Sequence, residues 1–370
     1  MEREPVDVPG ARCTRPAVVH HRSHRHPVDH PPAGDQGCGR GRCDRIDAGD
    51  HQRDRRRPAP DGCHRRGDAG HTDDGLEDHP GREGRSSMIP AAFDYTKAST
   101  VDEALAALAD SDDAKILGGG QSLLPVLRQR LNAPELIVDC SGIDEMKGIS
   151  DSGDKVVIGA AATHHAVMTD PTVKSSVALL AQATETVADP QIRHRGTVGG
   201  SLAHADPRAD QPPVALALDA EFTIAGPSGR RTVPAAEFFH GPFETSVEED
   251  ELLVSVAFPK YDGWGTHYEK FNRTAQAWSI VGVAAAVRMD GGKIAEARIG
   301  LTNVGGTPVR ASAAEQALVG AATMADIEAA AAKASEGLEP FADEDADADF
   351  RRHLAEVLTK RAVATASGIS

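Results

Sequence analysis

Cysteine is scarce. Five occur in 370 residues, and past residue 87 only Cys140 is left. A single thiol cannot ligate an iron–sulfur cluster, which needs about four protein ligands, and five cannot build a disulfide scaffold. No apolar run approaches the roughly 18 residues that a membrane helix needs, and the N-terminus does not read as a secretory signal. The expected compartment is therefore a reducing cytosol. Excess positive charge is missing too. Lys and Arg number 40 against 56 Asp and Glu, a formal charge of −16, which argues against nucleic acid or an anionic membrane as the main partner.

Residues 1–87 lack lysine and aromatic side chains altogether, yet hold 16 Arg and 9 of the 16 His. Their only Leu is Leu76 and their only Ile is Ile46, and 12 Asp with 4 Glu cancel the Arg charge. Such a segment cannot bury enough apolar surface to offset its ordering entropy, so it is expected to be disordered. Cys13, Cys38, Cys43 and Cys63, the last beside His64, raise the idea of zinc, but they do not repeat the paired spacing of zinc sites. Arg without Lys, amid abundant Gly, Pro, Asp and His, is what GC-rich DNA gives when read out of frame. The expectation is that the native protein starts at Met88 and that residues 1–87 are a start-site artefact.

From Met88 onward the pattern is that of an α+β protein. Thr100 and Glu103 suggest a capping box, with Ala104, Leu105, Ala107 and Leu108 on one helical face. Short strands are predicted at 115–117, 136–139, 156–160, 222–224 and 253–257, and a helix at about 174–187. An antiparallel meander is expected over 267–272, 280–288 and 297–302, then Ala-rich helices near 313–319, 324–336 and 348–365. Three segments are expected: 88–143 and 144–263 as two small lobes, and 264–370 as a C-terminal α+β domain.

Two glycine turns carry the chemistry. Gly118-Gly119-Gly120-Gln121-Ser122 follows a predicted strand, and its backbone N–H groups suit a pyrophosphate. Arg195-Gly196-Thr197-Val198-Gly199-Gly200-Ser201 runs on through Leu202-Ala203-His204-Ala205-Asp206-Pro207-Arg208-Ala209-Asp210. Neither matches the nicotinamide-dinucleotide or ATP-type phosphate fingerprints. Together, with Phe93-Asp94-Tyr95, the Ala188–Arg193 stretch and Gly226–Pro234, they resemble the FAD-binding medium subunits of molybdenum hydroxylases, the xanthine dehydrogenase family. The resemblance extends to those that serve aerobic carbon monoxide oxidation. The resemblance covers essentially all of 88–370.

That resemblance implies a two-lobed FAD-binding fold of the PCMH type followed by a C-terminal α+β domain of the CO dehydrogenase flavoprotein type. It implies that Ile116, Leu117, Gly118, Gly119, Gly120, Gln121, Ser122 and Leu123 wrap the FAD pyrophosphate, with Thr197, Val198, Gly199, Gly200 and Ser201 facing them. Asp210 would bond the ribityl or ribose, Leu253 would pack near the flavin ring, and Lys270 would lie close to that ring. By residue type alone, Leu253 also reads as core, Lys270 as a solvated strand charge and His204 as a structural loop histidine. His164-His165 read as surface residues or a cap.

Gln121 cannot form the covalent flavin bond that a histidine makes in some proteins of this fold, so FAD is expected to be dissociable. No residue of the chain is expected to act as a catalytic acid or base or to bind metal. The molybdenum cofactor and [2Fe–2S] clusters would belong to a large and a small partner subunit, in a dimer of heterotrimers. Electrons would leave to quinone or another respiratory acceptor. The complex would be cytoplasmic, without a membrane anchor, and would meet the inner face of the membrane only through a docking partner. A subunit serving a purine, a nicotine-like heterocycle or an aldehyde, and a stand-alone FAD oxidase, are the other readings.

Overall fold

Thr100 opens the first described helix by accepting a hydrogen bond from the Glu103 amide, while the Glu103 carboxylate accepts from Ser99 N. The reciprocal bond thus reaches one residue further back than a capping box requires. The computed structural model describes residues 89–370; the tail, its four cysteines and the Met88 start lie outside the described residues.

Strands β1 (Asp94–Lys97), β2 (Ala114–Leu117) and β3 (Leu136–Asp139) form a parallel sheet in the order β1-β3-β2. The first crossover is α1 (Val101–Ala109), which buries Val101, Ala104 and Leu108. The second carries the first glycine turn and α2 (Leu123–Arg128).

A larger antiparallel sheet follows. It contains β4 (Ile149–Asp151), β5 (Lys155–Gly159), β6 (Glu221–Gly226) and β7 (Gly229–Pro234), joined after the β8 (Phe239–Gly241) and β9 (Glu244–Thr245) hairpin by β10 (Leu252–Pro259). Its order is β4-β5-β10-β6-β7. All the helices between β5 and β6 belong to one insertion: α3 (His164–Thr169), α4 (Pro171–Ser176), α5 (Ala178–Glu185), α6 (Pro190–Arg193), α7 (Val198–His204) and α8 (Gln211–Ala217). The single helix expected at 174–187 is two, because the chain leaves helical geometry at the fully buried Val177. Its first half starts early, where Asp170 caps the Pro171 turn.

The expected meander is present as β11 (Gly265–Phe271), β12 (Val281–Asp290) and β13 (Lys293–Thr302), edged by β14 (Val309–Arg310). Helices α9 (Ser312–Leu318), α10 (Met324–Ala331) and α11 (Ala348–Ser367) close the chain. Residues of β12 alternate between two cores. Val281, Val283, Ala285 and Val287 join the C-terminal helices, whereas Ala284 and Ala286 face the N-terminal core. Small side chains let helices approach both faces closely. A Cβ on Gly300 would stand 2.1 Å from the Pro213 carbonyl of α8.

The largest fully buried side chain is Arg351 of α11. It donates to the carbonyls of Phe341 (3.0 Å) and Ile280 (2.5 Å) and pairs with Asp343 at 2.6 Å. Replacing Arg351→Leu takes a donor from the Phe341 and Ile280 carbonyls and the counter-ion from Asp343, so the loss should be about 3 kcal/mol, read as a lowered urea midpoint. Arg351→Lys should recover little of it, because an ammonium cannot reproduce the guanidinium fork. An unchanged midpoint in Arg351→Leu contradicts this assignment.

Candidate functional site

The first glycine turn leaves the carboxyl end of β2, where ligands gather in open parallel sheets. Gly120 takes φ +74°, and the Gln121 side-chain amide folds back to donate to Gly119 O at 3.0 Å. The backbone amides of Gly119, Gly120, Gln121 and Ser122 have no hydrogen-bond partner among the described residues. They form a row of free donors.

The second turn differs from the expectation. Residues 198–204 are helix, α7, with Thr197 as its cap accepting from Gly200 N at 3.1 Å. Tertiary contact overrides the poor helix propensity of the glycine pair. A Cβ at Gly199 would lie 2.3 Å from the Ala160 Cβ. Val198 and Gly199 are buried, and their amides donate to Ala162 O and Ala160 O. The second turn therefore offers a surface of close approach rather than donors. Of its residues, Gly196, Thr197, Gly200 and Ser201 line the cleft, and Arg195, Val198 and Gly199 do not.

The turns meet backbone to backbone. A Cβ on Gly119 would come within 2.1 Å of Arg195 O and 2.5 Å of Gly196 Cα. Beside this junction opens a cleft of about 660 Å³, within the usual range for small-molecule and cofactor sites. Gly118 to Leu123 line it, while Ile116 and Leu117 lie in and at the end of β2 behind it.

Asp210 and Lys270 also line the cleft, and the structure pairs them. Lys270 Nζ lies 2.8 Å from Asp210 Oδ2 and donates to Thr186 O at 3.1 Å. Oδ1 of Asp210 accepts from Tyr268 Oη (2.8 Å) and Ser279 Oγ (2.7 Å). Lys270 is thus a buried cation with a buried counter-ion, not a solvated strand charge. Burial lifts the Asp210 carboxyl above its ordinary range, against the pull of Lys270, Ser279 and Tyr268. The Tyr268 hydroxyl is held protonated by burial and by the same carboxylate. With three donors already on Asp210, the pair adds little net charge to the cleft.

Leu253 is 4 % exposed on β10 and packs in the core away from the cleft lining. His204 ends α7 rather than sitting in a loop; it lines the cleft with its ring 5.1 Å from that of Phe243. Burial depresses its pKa despite Asp206 nearby. His164 overturns the surface reading most clearly, being 4 % exposed and part of the cleft wall. His165 instead stacks on His194 at 4.0 Å. Trp278 and Phe243, at 47 % and 59 % exposure, stand at the cleft lining and were not anticipated. Nothing in the local pattern marks them, although Trp278 is one of only two tryptophans.

Comparison with known proteins agrees with this geometry. Residues 91–261 match the family described as the FAD binding domain in molybdopterin dehydrogenase, and residues 266–366 the CO dehydrogenase flavoprotein C-terminal domain. The carbon monoxide dehydrogenase medium chain of Hydrogenophaga pseudoflava is 40 % identical over 75 % of this chain and 97 % of its own. The glyceraldehyde dehydrogenase medium chain of Sulfolobus acidocaldarius is 35 % identical over 74 % of this chain and 98 % of its own.

This chain belongs to the FAD-binding medium-subunit family of molybdenum hydroxylases. A solved structure of carbon monoxide dehydrogenase from H. pseudoflava superposes with a TM-score of 0.74 at 42 % identity, covering 76 % of this chain and 99 % of that one. The medium subunit's own residues fit the cofactor. A row of unpaired amides, a glycine junction that no Cβ could enter and a cleft of sufficient volume are what a dinucleotide requires.

Two tests follow from the buried charges. In Lys270→Met the Asp210 carboxylate loses its counter-ion, which should cost about 3 kcal/mol or more, and the double variant Lys270→Met/Asp210→Asn should regain part of that in thermal melts. No rescue would mean that the pair is not coupled. Burial, aided by the Arg193 charge, pushes the His164 imidazole from 6.5 down to about 4. The unfolded chain therefore binds a proton below 6.5 that the folded chain refuses until about 4. Stability should fall by up to about 3 kcal/mol as pH drops through that window, then level off. Urea titrations of wild type and His164→Gln across it should differ by that slope; parallel curves rule it out.

Proposed function

We propose that this chain is the electron-transfer subunit of an aerobic carbon monoxide dehydrogenase. In this reading a large subunit holding the molybdenum cofactor converts CO and water to CO₂, two protons and two electrons. A small subunit relays the electrons through [2Fe–2S] clusters to this chain, which releases them to quinone or another respiratory acceptor. FAD, when bound, takes up electrons singly and gives them up in pairs.

The chain's own residues bind and orient. The free amides of Gly119–Ser122 receive the pyrophosphate, and the Thr197–Ser201 turn closes against it. Asp210 and Lys270, locked together, form one wall near the ribityl chain and the ring. Leu253 contributes only as core packing. With Gln121 bonded back to its own turn, nothing on the first turn offers a covalent link, so FAD is held reversibly. The assembly proposed is a dimer of heterotrimers in the cytoplasm, reaching the membrane's inner face through its acceptor. No described helix is long and apolar enough to cross a membrane.

The observation that carries the reading is the junction of the two glycine turns beside a donor-lined cleft, in a chain that covers nearly the whole length of carbon monoxide dehydrogenase medium chains. The aldehyde reading has support of its own, since a glyceraldehyde dehydrogenase medium chain matches over nearly the same span. A medium subunit does not hold the substrate, so the partners decide between them.

The test is an absorption spectrum with metal analysis of the complex purified through this chain. Bound FAD, iron, molybdenum and two further subunits, bleaching under CO, is the expected result. The same composition without bleaching moves the substrate to an aldehyde or heterocycle. A lone yellow protein indicates a stand-alone oxidase, and a colourless one removes the FAD reading.

A further inference from the structure

His164 lies beneath the junction of the two turns and has no part in the reading above. As the first residue of α3 it lines the cleft while its ring is buried. The backbone ties it to the second turn, His164 N donating to Gly196 O at 2.9 Å. Its Nδ1 faces inward, 3.1 Å from Nε2 of Gln211, whose amide also reaches Thr184 Oγ1 at 3.0 Å. Gln211 and Thr184 are fully buried.

The tautomer follows from counting donors. Gln211 Oε1 has no partner among the described residues. Turning the amide around would strand an NH₂ group with two donors in place of one acceptor, the costlier arrangement. Gln211 therefore donates, Nδ1 accepts, and the neutral imidazole carries its proton on Nε2.

The two ring nitrogens point in diverging directions. His164 lines the cleft and Gln211, the partner of Nδ1, does not, which points to Nε2 as the nitrogen on the cleft side. Nε2 has no hydrogen-bond partner among the described residues. Glycine at 196 is what leaves it uncovered, since a Cβ there would sit 2.9 Å from Nε2. The free amides of Gly119–Ser122 open at the same junction, so the donors gather where a diphosphate would lie rather than where an apolar ring would.

We propose that His164 is a binding residue whose Nε2–H donates to a phosphate oxygen of the bound dinucleotide, at the meeting point of the glycine turns. This rests on the reading of the cleft as an FAD site. Gln211 and Thr184 act as positioning residues that fix the ring and its tautomer.

The side-chain amide of asparagine overlays the inner nitrogen of histidine, and that of glutamine overlays the outer one. Full-length wild type, His164→Asn and His164→Gln are titrated with FAD by fluorescence quenching and with ADP and riboflavin by calorimetry. His164→Asn should bind FAD and ADP about tenfold more weakly, and His164→Gln should stay within about threefold of wild type. Riboflavin, which lacks phosphate, should bind all three alike. Equal FAD and ADP affinities in the two variants overturn the proposal, whereas a wild type that binds no FAD overturns the site reading instead. Should His164→Asn fail to fold, the ¹⁵N resonance of wild-type His164 Nε2 decides: it should move on adding ADP and stay fixed with riboflavin, and no movement with ADP overturns the assignment.

Discussion

The site depends on one steric constraint, the contact between the backbone at Gly119 and the backbone at Arg195-Gly196. Two chain segments far apart in sequence are held at a distance that admits no side chain. Everything functional is arranged around that contact. The first turn keeps its amides free because its strand partner is used up one residue earlier, where Cys140 N bonds Leu117 O. The second turn spends its amides on Ala160 and Ala162, which anchors it to the central antiparallel sheet. One side supplies donors, and the other supplies rigidity.

Asp210 plays the corresponding part for the C-terminal domain. It sits at the start of α8, yet its hydrogen-bond partners Tyr268, Lys270 and Ser279 come from β11 and the segment leading into β12. That segment is held from behind as well. Asn303, at φ 60°, donates to the carbonyls of Ser279 and Ile280, and Arg351 donates to Ile280 from α11. A continuous set of polar contacts thus runs from the last helix to the cleft wall that includes Trp278. Such buried networks cost desolvation, which full pairing offsets.

Pattern reading worked where packing follows local periodicity. Strands β2, β3, β5, β6 and β10, the meander and the Ala-rich helices were visible because each buries side chains at a regular spacing, whereas the largely exposed β1, β4 and β7 carry no such signal. It failed where contacts between distant residues decide the backbone. The second glycine turn reads as a loop, since Gly is a poor helix former, but Thr197 and the close approach of Ala160 make it the first turn of α7. Val177 breaks a helix that periodicity joins, because its side chain is drawn fully into the core.

By itself the sequence determined the fold class, the family and the two glycine turns, since these rest on residue type and order along the chain. Tertiary structure alone decided which members of those turns reach the cleft: Gly119, Gly200 and Ser201 line it, whereas Val198 and Gly199 are consumed by packing. It also turned Lys270 from a surface charge into half of a buried pair, and His164 from a helix-opening surface residue into a buried part of the cleft wall bonded to Gln211. The physical reason is common to all three. Burial and hydrogen-bond partners are set by residues distant along the chain, and a one-dimensional pattern carries neither.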